Sequence, residues 1–169
     1  MQILETERLL LRRLERRDLT HLTALYSDPV VRRFFPEGVL TPAETQEELD
    51  WFLNGHPQHP ELGLWATIDK ASGAFIGRCG LLPWEIEGKL EIEVAYLLDP
   101  ALWGRGLASE AARGIVAHAF EVLNLKRLIA LIDAENTASI RVAEAAGLRF
   151  EREADVEGPC SIYAIAAPR

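Results

Sequence analysis

The chain is poor in cysteine: Cys79 and Cys160 are the only two among 169 residues. Two cysteines make no disulfide framework, and a cytoplasmic setting is the default expectation. Long apolar runs are also missing. No stretch of about 18 apolar residues occurs, so neither a membrane-spanning helix nor a membrane partner is expected. The opening Met1-Gln2-Ile3-Leu4-Glu5-Thr6-Glu7-Arg8 carries two acids and no small-residue cleavage site, and does not read as a secretory leader. Basic charge is short as well: 18 Lys and Arg stand against 26 Asp and Glu, a net charge of −8. An acidic chain repels nucleic acid unless its basic groups cluster. The one cluster, Arg12-Arg13-Leu14-Glu15-Arg16-Arg17, is short, contains an acid, and reads as solvated surface. The acidic balance favours a cationic acceptor such as an amine.

Repeats, low-complexity tracts and long linkers are absent too, so residues 1–169 are expected to form one domain. Its composition, 49% hydrophobic and 26% charged, suits a single globular core. Residues 8–14 read as a first strand. Asp18 precedes Leu19, Leu22 and Leu25, a first helix with an acidic cap that ends near Ser27-Asp28-Pro29. Thr41-Pro42 is a good cap and first turn for a second helix running to Leu53, with Leu49, Trp51, Phe52 and Leu53 partly buried. Runs 64–69, 74–82 and 89–98 are strand-like, separated by Ala71-Ser72-Gly73 and Glu87-Gly88. The third alternates, with Leu90, Ile92, Val94, Tyr96 and Leu98 on one face and Glu91, Glu93, Ala95 and Leu97 on the other.

Residues 104–123 carry the clearest helical stripe: Ala108, Ala111, Ala112, Ile115, Ala119, Phe120 and Leu123. Residues 127–132 are apolar on both faces, as in a covered central strand. Asn136 can cap a short helix that ends at Gly147, and two strands close the chain at 148–155 and 160–166. The order β-α-α-β-β-β-α-β-α-β-β predicts an α/β fold with helices covering a mixed sheet.

The segment with most chemical content is Leu98-Asp99-Pro100-Ala101-Leu102-Trp103-Gly104-Arg105-Gly106-Leu107-Ala108-Ser109-Glu110. A strand ends, a glycine-rich loop follows, and a helix opens. Gly104 and Gly106 allow close backbone approach, while free N–H groups and the helix dipole favour an anion. Three readings compete. Glycine could serve packing at a helix start. A dinucleotide fingerprint fits poorly, since Ser109 stands where a third glycine belongs. A phosphate cradle of another kind remains. A P-loop is excluded by the missing Gly-Lys-Ser/Thr.

The stretch from Glu93 to Ala111 resembles the acetyl-CoA signature of the GCN5-related N-acetyltransferases (GNAT), in the branch similar to RimJ/RimL ribosomal-protein acetyltransferases. The family loop reads Q/R-x-x-G-x-G/A. Trp103 takes its first position, Gly106 the glycine and Ala108 the last small residue. Asn136-Thr137-Ala138-Ser139 through Gly147-Leu148 is similar to the branch's N-x-x-S…G-F, with Leu148 in place of Phe. Glu7-Arg8-Leu9-Leu10-Leu11-Arg12 resembles its T-E-R-L-x-L-R start. The resemblance implies a mostly antiparallel seven-stranded mixed sheet with four helices and splayed central parallel strands. It implies acetyl-CoA as co-substrate, an amine acceptor and no metal, and dimers are frequent among similar proteins. It places the pantetheine arm against backbone groups of Tyr96, Leu97 and Leu98. It places the pyrophosphate on Gly104, Arg105, Gly106, Leu107, Ala108 and Ser109, with Trp103 also at the coenzyme. Asn136 would meet the arm near its middle, and Ser139 the arm or the departing sulfur. A non-catalytic CoA-binding module of the same fold is the alternative.

Direct attack requires a neutral amine. A lysine amine, pKa about 10.4, is ~0.1% neutral near pH 7.4, whereas an α-amine at about 7.7–8.0 needs little help. Glu93 and Glu91 share a strand face leading into the site. Glu93 is the expected base, acting directly or through water, and either could instead face solvent. Many family members carry a tyrosine seven residues after the asparagine as acid; here that position is Ala143. Ser139 is the substitute, unless it only bonds locally at its helix start. His56, His59 and His118 read as structural, and no third ligand stands near the first two. Phe34, Phe35, Trp51, Trp65 and Trp84 read as core, although 30–62 is the segment that walls the acceptor pocket in similar proteins. Cys160 reads as a buried small residue.

Overall fold

The computed structural model describes residues 1–169. Its elements are β1 (Gln2–Glu5), β2 (Leu9–Arg13), α1 (Leu19–Tyr26), α2 (Pro42–Phe52), β3 (Gly63–Asp69), β4 (Phe75–Ile86), β5 (Lys89–Leu98), α3 (Leu107–Glu121), β6 (Arg127–Ile132), α4 (Thr137–Ala145), β7 (Arg149–Asp155) and β8 (Pro159–Ala166). One sheet runs β1-β2-β3-β4-β5-β6-β8-β7. Every neighbouring pair is antiparallel except the central β5–β6 pair. The mixed α/β fold with four helices is as expected, but the sheet has eight strands rather than seven. The extra strand is β1, a four-residue edge strand that pairs with β2 through an irregularity between Gln2 and Leu4. So short an edge strand leaves no two-residue hydrophobic pattern to read.

Local chemistry explains the bounds. Thr41 and Glu44 form a reciprocal capping box, with Pro42 in the first turn, and start α2. Glu87 and Gly88, at φ of 52° and 79°, make the two-residue turn that joins β4 to β5. The third helix begins at Leu107, not at 104, because Gly106 is left-handed at φ 75°. Its buried stripe of Leu107, Ala111, Ala112, Ile115, Val116 and Ala119 joins the larger core. The opposite sheet face packs Leu22, Leu25 and Tyr26 of α1 with Leu49 and Phe52 of α2. Full burial of each such leucine stabilises by about 1.5–3 kcal/mol. Strand β5 feeds both layers: Ile92, Val94 and Leu98 enter the α3 core, and Leu97 enters the other. Glu93 therefore faces the α1/α2 side. Trp51 departs from expectation: it is largely exposed while its neighbour Phe52 is buried.

Asp18 does not cap α1 with its side chain. It is 2% exposed and accepts two bonds from Arg12, at 2.9 Å each, and one from the Glu15 N–H at 2.7 Å. The basic cluster is thus partly structural rather than wholly solvated. Burial alone would raise the Asp18 carboxyl, but the Arg12 guanidinium and the Glu15 amide outweigh it and hold it below the usual range. Asp18→Asn is expected to cost about 2–3 kcal/mol in urea denaturation near neutral pH, because Arg12 keeps its charge and loses its partner. A carboxyl lowered on folding stabilises above its unfolded pKa, about 3.9, and that gain fades as pH falls through the native value. The two proteins should therefore converge in acid.

Candidate active site

Strands β5 and β6 are in parallel register at one pair, Glu93 with Ile129, and diverge beyond it. The Asp99 N–H donates to the Ile76 carbonyl at 2.8 Å. The two-residue period of an antiparallel ladder then turns the backbone groups of Leu97 toward β4 and those of Tyr96 and Leu98 toward the gap. The Leu98 carbonyl accepts the Trp103 indole N–H at 3.0 Å. Of the three residues expected along the arm, the gap therefore receives both backbone groups of Tyr96 and the N–H of Leu98. Leu97 is committed to the ladder, which corrects the expectation for that residue.

Glu93 sits at the apex of the gap. Its Oε1 accepts the Trp84 indole N–H at 3.0 Å, and its Oε2 lies 3.4 Å from the Leu131 N–H, a donor left over where the strands part. Burial pushes its carboxyl up to about 7; those two donors and the charge of Arg78 oppose the rise without cancelling it. Glu91 has another task. It accepts Arg127 Nε at 3.0 Å, and Arg127 also bridges to Glu151.

At the start of α4, Asn136 Oδ1 accepts the Ser139 N–H at 3.2 Å, so Asn136 caps the helix. Ser139 Oγ donates to the Tyr96 phenol oxygen at 3.0 Å, and the phenol donates to the Ser139 carbonyl at 2.7 Å. Burial pushes the Tyr96 phenol up, and the Ser139 bond opposes this. Ala143 is sealed in the core. A tyrosine hydroxyl thus does reach the head of α4, but from the strand. Reading Tyr96 only through its backbone misses this; an aromatic hydroxyl ending on the apolar face was the available signal.

The loop after β5 turns through Gly104 and Gly106 at φ of 80° and 75°. The first helical bond of α3 runs from Glu110 N–H to the Gly106 carbonyl. No protein acceptor takes the N–H of Gly104, Arg105, Gly106, Leu107, Ala108 or Ser109. Arg8 fixes the loop from below: its Nη1 donates to the Arg105 carbonyl at 2.9 Å and its Nε to Glu110 at 2.7 Å. Glu110 also accepts Thr6 Oγ1 and the Arg8 N–H. Burial would raise the Glu110 carboxyl, and these donors bring it below its usual range. Trp103 is 53% exposed at the loop's edge.

A cavity of about 710 Å³ lies at the apex, lined by Glu93, Tyr96, Asn136 and Ser139. Phe34 and Phe35 wall it from the irregular segment after α1, and Trp84 from β4, whereas Trp65 is core. Cys160 is both buried and part of the wall. Arg78, also in the lining, escaped the sequence reading; a charge inside the apolar run Phe75–Leu82 was its signal. His56 and His59 lie tilted against each other, ring centroids 5.7 Å apart, and are not among the cavity residues, and His118 packs edge-on against Trp65 at 5.8 Å.

A family model described as an acetyltransferase (GNAT) domain matches residues 8–149. An uncharacterized protein, YkkB, of Bacillus subtilis is 35% identical over 150 residues, covering 88% of this chain and 86% of that protein. An uncharacterized N-acetyltransferase, p20, of Bacillus licheniformis is 31% identical, covering 90% and 84%. The crystal structure of a GNAT-family acetyltransferase from Bacillus anthracis superimposes with a TM-score of 0.84 at 27% identity over 98% of each chain.

Proposed function

The chain belongs to the acetyltransferase (GNAT) domain family and is an N-acetyltransferase, and from that premise we propose that it carries acetyl from acetyl-CoA to a primary amine by direct attack. One observation carries the reading: the gap between β5 and β6 runs from a row of six acceptor-free amides to a half-buried glutamate at its apex. The amides of Gly104 through Ser109 suit the two charges of a pyrophosphate. Donors of Tyr96 and Leu98 along the gap suit the amide-bearing arm, with the Asn136 carboxamide beside it. Acetyl-CoA supplies an activated acyl group on a thiol that leaves readily.

The residues do the rest. Glu93 takes the proton that the amine gives up as nitrogen bonds to the acyl carbon. A carboxyl near 7 is half ionised at neutral pH and still basic enough to accept that proton. An exposed backbone N–H of the gap polarises the acyl oxygen. In this reading the Ser139–Tyr96 hydroxyl pair gives a proton or hydrogen bond to the sulfur as the C–S bond breaks. The products are the N-acetyl amine and free CoA thiol. Peptide α-amines and small-molecule amines both satisfy this chemistry.

Thiol release on mixing with acetyl-CoA and a panel of amines tests the reading. Coenzyme binding without turnover on any amine would overturn it. Tyr96→Phe should lower kcat roughly tenfold, the scale of a lost hydrogen bond to a charged group, with little change in acetyl-CoA affinity. An unchanged kcat would remove the phenol from the reaction.

A further inference from the structure

We infer, resting on the acetyltransferase reading, that the acceptor is an amine carrying a carboxylate-like anionic group, with Arg78 gripping the anion while the amine faces Glu93. Arg78 is 4% exposed, yet no carboxylate pairs with it. Its Nε donates to the Tyr26 hydroxyl at 2.8 Å, and its guanidinium lies 5.6 Å from the Tyr26 ring and 5.7 Å from the Phe35 ring. Neither Nη has a protein acceptor, and both belong to the cavity side rather than the sealed interior. A second cation shares the same rings. Arg32, also 4% exposed, is 4.0 Å from Phe35 and 5.3 Å from Tyr26. Arg32 is already engaged, by the Gly38 carbonyl at 2.8 Å and by Glu37 at 3.5 Å on the exposed rim. Burial and the charge of Arg78 both lower its pKa. A buried cation without a bonded anion is costly, and a planar fork with two idle nitrogens matches a carboxylate.

The remaining charges give the cavity two ends. Glu48, from α2, acts on Arg78 and on the Tyr26 hydroxyl but makes no ion pair with the guanidinium. Glu157 acts on Glu93 at the other end, and Glu37 and Asp133 also line the cavity without pairing to Arg78. Arg78 pairs in register with Leu97, Gly80 with Ala95 and Leu82 with Glu93, so Arg78 and Glu93 share one sheet face. Four residues at about 3.3 Å separate their backbone positions, and two long side chains span much of that. Only Gly80 and Ala95 stand between, so the floor is low. The acceptor must place an amine at one end and an anion at the other with a short spacer between them. A polyamine would set a cation against Arg78. Free amino acids and peptides whose first residue is acidic offer the same chemistry.

Thiol release from acetyl-CoA, measured with matched acceptors, decides the matter. The pairs are glycine with glycinamide, β-alanine with its amide, and the C-terminally amidated dipeptides Asp-Ala and Asn-Ala; spermidine is the cationic control. Counted per neutral amine, each acid should exceed its neutral partner in kcat/KM by on the order of ten- to a hundredfold. The free-acid and dipeptide arms separate the two sources. In Arg78→Leu the acid-to-neutral ratio should fall toward one, mainly through KM of the acid, and Arg78→Lys should keep part of it. If the leucine variant does not fold, the wild-type ratios and the lysine variant still decide. Wild-type ratios of one or below, or spermidine as the best acceptor, would overturn the inference and leave the acetyltransferase reading standing. No turnover with any amine would remove both.

Discussion

Gly106→Glu should abolish acetyl-CoA binding in a protein that still folds. Gly106 holds φ 75°, where a side chain is strained by about 1 kcal/mol or more, and its Cβ would meet only Arg8 Nη2, at 3.6 Å. There is room for the atoms, so the fold survives. The new carboxylate, however, stands among the amides of Gly104 through Ser109 and repels the anion they are proposed to hold. Each dipole–anion contact is worth about 0.3–2 kcal/mol, and losing several weakens binding by on the order of a hundredfold or more. Gly106→Asn is the informative partner. Asparagine tolerates the left-handed region and adds no charge, so it should bind within about tenfold of wild type. Calorimetry with acetyl-CoA and a thermal melt read both variants. Unchanged affinity in the glutamate variant would move the pyrophosphate elsewhere.

Glu93→Gln should lower turnover by about 10²–10⁴-fold without weakening acetyl-CoA. Wild-type kcat/KM should rise with pH through an inflection near 7, the value to which burial has pushed the carboxyl from 4.5. The glutamine variant should lose that inflection and gain activity only as the amine itself becomes neutral, so its profile shifts upward. A second, opposite signature accompanies it. A carboxyl raised on folding gives stability that is full below about pH 4.5 and is lost as pH climbs through about 7. Above pH 7 the native state holds a poorly solvated charge, and the variant does not. Glu93→Gln should therefore melt at or above wild type in alkali, by up to about 3 kcal/mol, while nearly inactive. An unaltered pH–rate curve would dismiss Glu93 as base.

The elements legible in the sequence were those with a strong repeat or a capping pair. The Thr41-Pro42 start, the stripe of α3, the β4–β5 turn and the covered strand β6 all announce themselves by local chemistry. Strand β1 did not, since four edge residues carry no periodicity. Asp18 misled because a helix-start acid and a buried ion-pair partner look alike in a string of letters; only Arg12 folding back tells them apart. The loop at Gly104–Ser109 was visible because glycine spacing states its backbone geometry. The acceptor end was not. Arg78 lies 52 residues from Tyr26, and only tertiary packing brings it and Arg32 over the same rings. The overall acidity that suggested a cationic acceptor averages over a surface, while the cavity wall next to Phe35 is locally basic.

Arg8 reaches across about a hundred positions of sequence to grip Arg105 and Glu110. The proposed anion cradle is therefore a property of the assembled sheet, not of its own few residues. Whatever frees β2 from its neighbours slackens the cradle too, so ligand occupancy and global cooperativity become thermodynamically linked. A ligand that binds only the taut form raises the melting temperature as its concentration rises, by RT ln(1 + [L]/Kd) in free energy. With the coenzyme as the proposed ligand, the enzyme's lifetime in a cell would then track the supply of that coenzyme.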